Sequence, residues 1–262
     1  MTRLSIVCVT KCEAHVEPFL ANIVRLAGHL DAEMVFGLDG TSPHQSLVQG
    51  SSSIVVPVFG RFLEEMIDPA LDAASGRFIL RLDDDERCSD EMVKWLESGV
   101  YTNHDSWFFP RVHLWPTRDS VITSLPYFPD FQGRLTTKEK AYRAPTIHAG
   151  SPYASFRAPC YMEHHNLLTK TKEQRRELTA RYHTIIHGTP LTAADVDTVY
   201  PEDAPEDYIK TEPLAGMKIM ERADQIKWWR QVGEEAGIPL RLQRELEQGL
   251  RARDKVLRPR EM

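Results

Sequence analysis

Three consecutive carboxylates, Asp83, Asp84 and Asp85, directly follow the apolar segment 78–82, FILRL. Such a run repels itself unless a cation lies among the side chains. Because side chains alternate along a strand, a continuing strand would place Asp83 and Asp85 on one face and turn Asp84 away. Two oxygen donors at that spacing suit Mg²⁺ or Mn²⁺, which keep other positions for water and phosphates. The alternative is a solvated acidic loop before a helix capped by Ser89.

The segments before the triplet alternate between strand and helix patterns. Short apolar runs rich in β-branched residues predict strands at 4–10, 33–40, 52–59 and 77–85. Apolar residues at helical spacing predict helices beginning near Val16 and Leu63, and Gly76 is the predicted C′ residue of the second helix. This alternation is typical of an α/β fold with a mostly parallel central sheet flanked by helices.

Polar residues fall where the predicted parallel strands end. Thr10 closes the first strand, Asp39 the second, and the acidic triplet the fourth. In open α/β sheets, ligands bind outside the carboxyl ends of the strands. The sequence therefore predicts a binding site at this edge of the sheet.

The region after the fourth strand is less regular. Pro110 within residues 106–116 predicts an edge strand, because proline cannot donate to a ladder. Residues 116–163 are rich in proline and aromatic side chains, which is typical of long functional loops. Residues 167–186 carry a strong helical pattern.

Composition excludes several classes of protein. The chain has 262 residues, 42% of them hydrophobic, a net charge of −6 and a pI near 5.9. These values predict one sizeable globular domain with no general affinity for nucleic acid or anionic lipid. The four cysteines have no CxxC spacing, and no signal-like leader or apolar run of about 20 residues occurs, so we expect a cytoplasmic protein without a transmembrane segment.

The C-terminal region is predicted to differ from the rest. We expect an acidic linker at 191–213 and a helical appendage at 214–262. Residues 241–260 contain seven basic and three acidic side chains, with leucines near one helical face. This face could fold back on the main domain, pack on a second copy as a homodimer, or contact an anionic membrane peripherally.

Four motifs, taken together and in order, resemble those of family 2 glycosyltransferases with the GT-A fold. They are LSIVCVTKCE, GLDGTS, ASGRFILRLDDDE and PDFQGRL, and the resemblance covers about residues 4–190. It implies a GT-A-like domain over residues 1–190 that transfers a sugar from a nucleoside diphosphate sugar, UDP being the expected nucleotide, to a hydroxyl acceptor with inversion. Two positions depart from the family pattern: Leu38 precedes Asp39 where a second aspartate is usual, and Ala149 follows His148 where some relatives have glutamate.

The resemblance also implies roles for individual residues. Asp83 and Asp85 would carry the divalent metal, Mn²⁺ or Mg²⁺, and with Asp84 the donor diphosphate. Asp39 would hold the nucleobase of the donor and Thr10 would face the nucleoside. The segment HHNLLTKTKEQRRELTARY resembles the tail of bacterial members and places His164 beside the diphosphate or metal.

The acceptor side has alternatives. Asp130 is the candidate base, with a structural salt bridge to Arg134 as its alternative, and Glu163 is the second candidate. Gln132 and Arg134 would orient acceptor or diphosphate, with a plain packing and solvation role as the alternative. His148 is a candidate acceptor contact.

Two basic residues are candidates for phosphate contact. They are Arg61 and Arg81. Arg81 lies within a strand pattern and could instead cap the sheet edge.

Two other functions are compatible with parts of this sequence. A nucleotidyltransferase could use a similar fold, but residues 9–18 lack the glycine-rich, basic phosphate loop expected near its first strand. A non-catalytic sugar-nucleotide-binding protein is the other alternative. No G-x-S-x-G motif occurs, so serine-nucleophile chemistry has no support.

Overall fold

A computed structural model describes residues 3–11, 17–39, 54–58, 63–123, 127, 130–141, 156–192, 196 and 211–215. The strands are β1 (Leu4–Thr10), β2 (Glu33–Asp39), β3 (Ile54–Val58), β4 (Phe78–Asp83), β5 (Glu86–Cys88), β6 (Ser106–His113), β7 (Ser120–Ile122), β8 (Asp130–Thr137), β9 (Phe156–Arg157), β10 (Met162–His164) and β11 (Thr211–Pro213). The α-helices are α1 (Glu17–His29), α2 (Ile67–Ala73), α3 (Asp90–Glu97), α4 (Asn166–Thr169) and α5 (Lys172–His187). Short 3₁₀ helices cover Leu63–Met66, Val100–Asn103 and Lys138–Lys140.

Nine of the strands in the described residues form one mixed sheet. Its order is β3-β2-β1-β4-β8-β6-β10-β5, and β9 also pairs with β6. The first four strands are parallel, β8 is antiparallel to both its neighbours, β10 is parallel to β6, and β5 is antiparallel to β10. The predicted α/β fold with a mostly parallel central sheet is confirmed.

Helices cover both faces of the parallel part of the sheet. Leu4, Ile6 and Cys8 of β1 share one buried cluster with apolar residues of α1. Val7 and Val9 share a second cluster with apolar residues of α2. Burial on both faces explains why β1 is a continuous apolar run and not an alternating one.

The sheet must curve between β4 and β5. These strands are joined by two residues, yet they lie four positions apart in the sheet order. Four strand spacings would separate them by about 19 Å in a flat sheet, whereas the connection from residue 83 to 86 reaches only about 10 Å. Curvature therefore brings β8, β6, β10 and β5 around the turn at residues 84–85.

Two local predictions are wrong. The helix before Gly76 ends at Ala73, and Ala74 is already extended. Gly76 is instead needed for close packing, because a Cβ there would lie 2.5 Å from Ser5 Oγ. The strand containing Pro110 is not at an edge, since β6 pairs with β8 on one side and with β9 and β10 on the other.

The sheet tolerates Pro110 because of a gap in the pairing of β6. Ala158 N donates to Phe108 O at 2.8 Å, so the backbone of Phe108 and, two residues on, that of Pro110 faces β9 and β10. β9 pairs with residues 107–108 and β10 with residues 111–113, which leaves Pro110 between them. No ladder hydrogen bond is lost there.

Helix caps fit their sequences. Ser89 Oγ accepts from Met92 N at 3.1 Å, which confirms the predicted N-cap of α3. The helical pattern at 167–186 is divided into α4 and α5, because Thr171 forms a capping box with Gln174. The division leaves Lys170 in the connection between the two helices.

The C-terminal predictions fall mostly outside the described residues. The chain divides into compact units at 1–217 and 218–262, and the second unit, with its leucine face, is not described. Thr211–Pro213, at the end of the predicted linker, pairs antiparallel with β7. In the described part of the chain, no helix combines the length and apolar character needed to cross a membrane.

Candidate functional site

The carboxyl ends of β1, β2 and β4 carry Thr10, Asp39 and Asp83, as the sequence predicted. The sheet order 3-2-1-4 changes direction between β1 and β4. This is the topological switch point at which open α/β sheets bind ligands. Thr10 and the acidic turn are therefore the natural starting point of a site.

The acidic triplet is a turn and not an extended strand. β4 ends at Asp83, and Asp84 and Asp85 form the turn before β5. Strand alternation therefore does not govern their directions, and the expectation that Asp84 turns away is wrong. Thr10 Oγ1 donates to Asp84 Oδ2 at 2.5 Å across the switch point.

Two arginines hold three carboxylates, and we call these five residues the arginine-held group. Arg134 NH2 contacts Asp83 Oδ2 and donates to Glu86 Oε1 at 2.5 Å. Arg111 donates to the same Glu86 oxygen at 3.2 Å and to Asp130 Oδ2 at 2.6 Å. The Glu86 side chain is 0% exposed and that of Arg134 is 1% exposed. Such a network fixes the positions of β4, β5, β6 and β8 relative to one another.

Electrostatics keep Asp83 and Asp130 ionised. Burial acts to raise the pKa of Asp83, but the charges of Arg134, Arg81 and Arg111 together outweigh it and lower the pKa below its ordinary value. Burial also opposes ionisation of Asp130, whose pKa is lowered by the hydrogen bond from His113 and by the charge of Arg111. Asp130 is a stable anion, and it accepts from Gln132 Nε2 at 2.6 Å on its other oxygen.

The two remaining carboxylates of the turn, Asp84 and Asp85, contact a hydroxyl, an imidazole and an ammonium. We call these five residues the exchangeable group: Thr10, Asp84, Asp85, His164 and Lys170. Lys170 Nζ donates to Asp85 Oδ2 at 3.1 Å, and His164 Nε2 lies 3.4 Å from Asp85 Oδ1. Burial and the neighbouring Asp85 raise the pKa of Asp84 to about 7, against the hydrogen bond from Thr10.

A chain of histidines links the two groups. His113 Nε2 lies 3.1 Å from Asp130 Oδ2, and its Nδ1 lies 3.0 Å from His164 Nδ1. Burial lowers the pKa of His113 to about 3, so its ring is neutral. Polar contacts therefore run from Asp130 through His113 and His164 to Asp85.

The structure brings some predicted site residues together and separates others. One connected network of polar contacts includes Asp83, Asp85, Asp130, Gln132, Arg134 and His164, and the Thr10–Asp84 pair lies beside it at the same turn. Glu163 contacts His165 Nε2 at 3.0 Å and points to the opposite face of β10 from His164. Arg61 and His148 lie outside the described residues.

Two alternatives from the sequence are wrong. The arginine partner of Asp130 is Arg111, and Arg134 pairs instead with Asp83 and Glu86. Arg81 does not cap a sheet edge, because β4 lies between β1 and β8.

Four residues of the network were missed in the sequence. They are Glu86, Arg111, His113 and Lys170. Glu86 follows the acidic triplet directly, and Lys170 follows the His164 segment, so both lay beside recognised motifs. Arg111 and His113 were hidden because their strand was taken for an edge.

No group of three or more histidine, cysteine or acidic side chains suited to a metal ion occurs among the described residues. Asp85 and His164 nevertheless provide an oxygen and a nitrogen 3.4 Å apart. Mg²⁺ and similar cations commonly take one or two protein ligands and complete their shell with substrate phosphates and water. The donor set therefore fits a cation that arrives with a diphosphate.

Comparisons with known proteins give distant structural similarities. No protein-family model matches the chain, and no curated protein matches it. The structure is similar to that of S. aureus TarS, with a TM-score of 0.42 and 13% identity over 91% of this chain and 50% of TarS. The chain thus spans about half the length of TarS.

Two further similarities are to solved complexes. A shorter form of TarS in complex with UDP-GlcNAc has a TM-score of 0.43 and 13% identity over 88% of this chain and 80% of that one. Glucosyl-3-phosphoglycerate synthase from Mycobacterium tuberculosis, in complex with Mn²⁺, UDP and glucosyl-3-phosphoglycerate, has a TM-score of 0.45 and 16% identity over 71% of this chain and 77% of that one. At these values the comparisons assign no activity to this chain.

Proposed function

We propose that this protein is a metal-dependent glycosyltransferase of the GT-A type, which transfers a sugar from a UDP sugar to a hydroxyl acceptor with inversion. The observation that carries the proposal is the exchangeable group at the switch point of the sheet. There, Asp85 and His164 lie 3.4 Å apart and Thr10 contacts the same acidic turn. Nucleotides bind at this place in open α/β sheets.

The donor would lie across the ends of β1, β2 and β4. In this proposal Asp39 contacts the nucleobase of the donor and Thr10 faces the nucleoside. Asp85 and His164 would hold the cation, which when bound neutralises the leaving diphosphate. Lys170, whose ammonium contacts Asp85 at 3.1 Å, is placed to add a further positive charge beside the phosphates.

Asp83 and Arg134 would act as a pair. The Asp83 side chain is 35% exposed and can face the donor, while buried Arg134 fixes its direction. Because Asp83 Oδ2 is engaged by Arg134, we favour a donor contact for Asp83 over the metal role expected from the sequence. The burial of Arg134 likewise favours support of Asp83 over direct contact with diphosphate.

Transfer requires a base for the acceptor hydroxyl. Asp130 has three donors on its two oxygens and a lowered pKa, which weaken it as a base. Glu163 is the second candidate, but it contacts His165 at 3.0 Å and points to the opposite face of β10 from His164, so its side chain is turned away from the proposed donor site. Gln132 donates to Asp130. Its proposed effect on the sugar acceptor is therefore indirect, through the position of the Asp130 carboxylate.

A screen of nucleotide sugars tests the proposal. Thermal unfolding is measured with Mn²⁺ and UDP, GDP or ADP sugars, followed by detection of sugar transfer or donor hydrolysis. A matching donor at about 100 times its dissociation constant should add about 2.7 kcal/mol to the free energy of unfolding. Stabilisation without turnover would favour a non-catalytic binding protein. If none of the nucleotide sugars stabilises the protein, the proposal is contradicted.

A further inference from the structure

We propose that His113 and Asp130 are positioning residues that orient the imidazole of His164 so that its Nε2 faces a metal beside Asp85. The inference rests on the proposed function, because it assigns a purpose to contacts behind the proposed metal pair. It also gives Asp130 a purpose other than that of a base.

The hydrogen-bond donor of each contact can be assigned in turn, starting from Asp130. Its Oδ2 accepts from Arg111 Nε at 2.6 Å, and the paired carboxylate is ionised and can only accept. His113 Nε2, 3.1 Å from the same oxygen, must therefore carry a hydrogen. Arg111 already balances the charge of Asp130, so a second cation on buried His113 would be uncompensated.

A neutral His113 leaves Nδ1 as an acceptor. The atom 3.0 Å from it is His164 Nδ1, which must then donate. The tautomer of His164 is thereby fixed, with its hydrogen on Nδ1 and a lone pair available on Nε2. Metal-binding histidines are typically held in this way, with the second ring nitrogen donating to a supporting group.

The lone pair on His164 Nε2 faces another acceptor. Asp85 Oδ1 lies 3.4 Å away, and two acceptors at this separation repel each other unless a cation lies between them. Two neighbouring ligand atoms on one octahedral Mg²⁺ lie about 3 Å apart. The contacts of His164 with His113 therefore leave the position between His164 Nε2 and Asp85 Oδ1 suited to a cation.

Metal affinity measured without nucleotide tests the positioning role. Mn²⁺ alone is titrated into the full chain by electron paramagnetic resonance, which counts free Mn²⁺. We expect His113→Phe and Asp130→Asn each to weaken Mn²⁺ binding by about 10- to 100-fold, and His164→Ala to weaken it more. Asp105→Asn is the matched control, because Asp105 forms an exposed pair with Lys140 at 2.8 Å.

The controls separate this inference from the proposed function. If His164→Ala and Asp85→Asn leave Mn²⁺ affinity unchanged, the proposed metal pair itself is wrong. If those two variants lose affinity while His113→Phe and Asp130→Asn retain it, only the positioning role is overturned.

Nuclear magnetic resonance tests the tautomer of His164 directly. Long-range ¹⁵N–¹H correlation in the metal-free wild type at pH 8 reports which ring nitrogen of His164 carries the hydrogen. We expect the Nδ1–H form, and we expect this preference to be lost in His113→Phe. An Nε2–H form in the wild type would overturn the inference, whereas a merely structural role for His113 would leave the tautomer unchanged by the substitution.

Discussion

The two halves of the acidic cluster differ in the groups that contact their carboxylates. In the arginine-held group, Asp83, Glu86 and Asp130 contact guanidinium groups that stay charged at any working pH. In the exchangeable group, Asp84 and Asp85 contact a hydroxyl, an imidazole and an ammonium. The first half can support a fold, and in the proposed function the second would exchange its partners for a ligand.

This difference explains how one turn serves both purposes. Glu86 is fully buried and anchors the end of the turn, while Asp84 and Asp85 lie between it and β4. The backbone of the turn is therefore fixed at both ends, and in the proposed function a cation and a diphosphate would replace the partners of the carboxylates between them. Substitutions in the two halves should consequently have different effects.

The largest effect is expected from Arg134→Met. The substitution removes the partner of Glu86 at 2.5 Å and leaves Arg111 at 3.2 Å. Breaking one side of a buried ion pair costs about 3–5 kcal/mol, which urea denaturation would measure as a loss in the free energy of unfolding. Lys140→Met, which breaks an exposed pair with Asp105, should cost about 0–1 kcal/mol. Equal losses in the two variants would contradict the role of the arginine-held group.

Lys170→Met should have an intermediate effect that depends on ligand. Without metal, Asp85 loses its partner at 3.1 Å, and leaving a buried polar group unpaired costs about 1–3 kcal/mol. With saturating Mn²⁺ and UDP, the bound cation compensates Asp85 and the difference from wild type should narrow. Thermal unfolding with and without these ligands measures both values. A difference of the same size in both conditions would show that Lys170 is not exchangeable.

The pH dependence should distinguish Asp84 from the arginine-held carboxylates. Its pKa is raised in the folded protein from 3.8 to about 7, so the native state binds this proton more tightly than the unfolded state. The contribution of Asp84 to stability is therefore full below pH 3.8 and falls as pH rises through about 7. For metal-free protein, the free energy of unfolding measured at several pH values should fall less steeply with pH in Asp84→Asn over this window. Parallel curves for variant and wild type would refute the assignment.

The smallest effect is expected from Thr10→Val. This substitution keeps the side-chain shape and removes the hydroxyl that donates to Asp84 at 2.5 Å. The expected loss in the free energy of unfolding is about 0.5–1.5 kcal/mol. Because this hydrogen bond lowers the pKa of Asp84, its removal should raise that pKa, and the fall in stability should extend to higher pH. A variant with unchanged stability and unchanged pH dependence would show that the hydroxyl does not support the turn.

The sequence predicted the parallel half of the sheet well because its signals are local. The apolar run of β1, the spacing in α1 and the position of Ser89 each depend on residues that are close along the chain. Polar residues at strand ends then mark the candidate binding edge without further information. Thr10, Asp39 and Asp83 were located in this way.

The remaining half of the site depends on contacts between distant segments. Pro110 suggested an edge strand, and only the gap between β9 and β10 allows it an interior position. The curvature that carries Arg111 and His113 to the acidic turn follows from the order of strands in the sheet. Sequence periodicity does not contain that order, so the partners of Glu86 and Asp130 could not be assigned from it.

The central claim is that Asp85 belongs to a metal-dependent donor site, and calorimetric titration of UDP with and without Mn²⁺ tests it most directly. The wild type and Asp105→Asn should bind UDP more tightly when Mn²⁺ is present. Asp85→Asn should lose this dependence on Mn²⁺ while its circular dichroism spectrum stays that of the folded protein. An Asp85→Asn variant that binds UDP with the Mn²⁺-dependent affinity of the wild type would contradict the account.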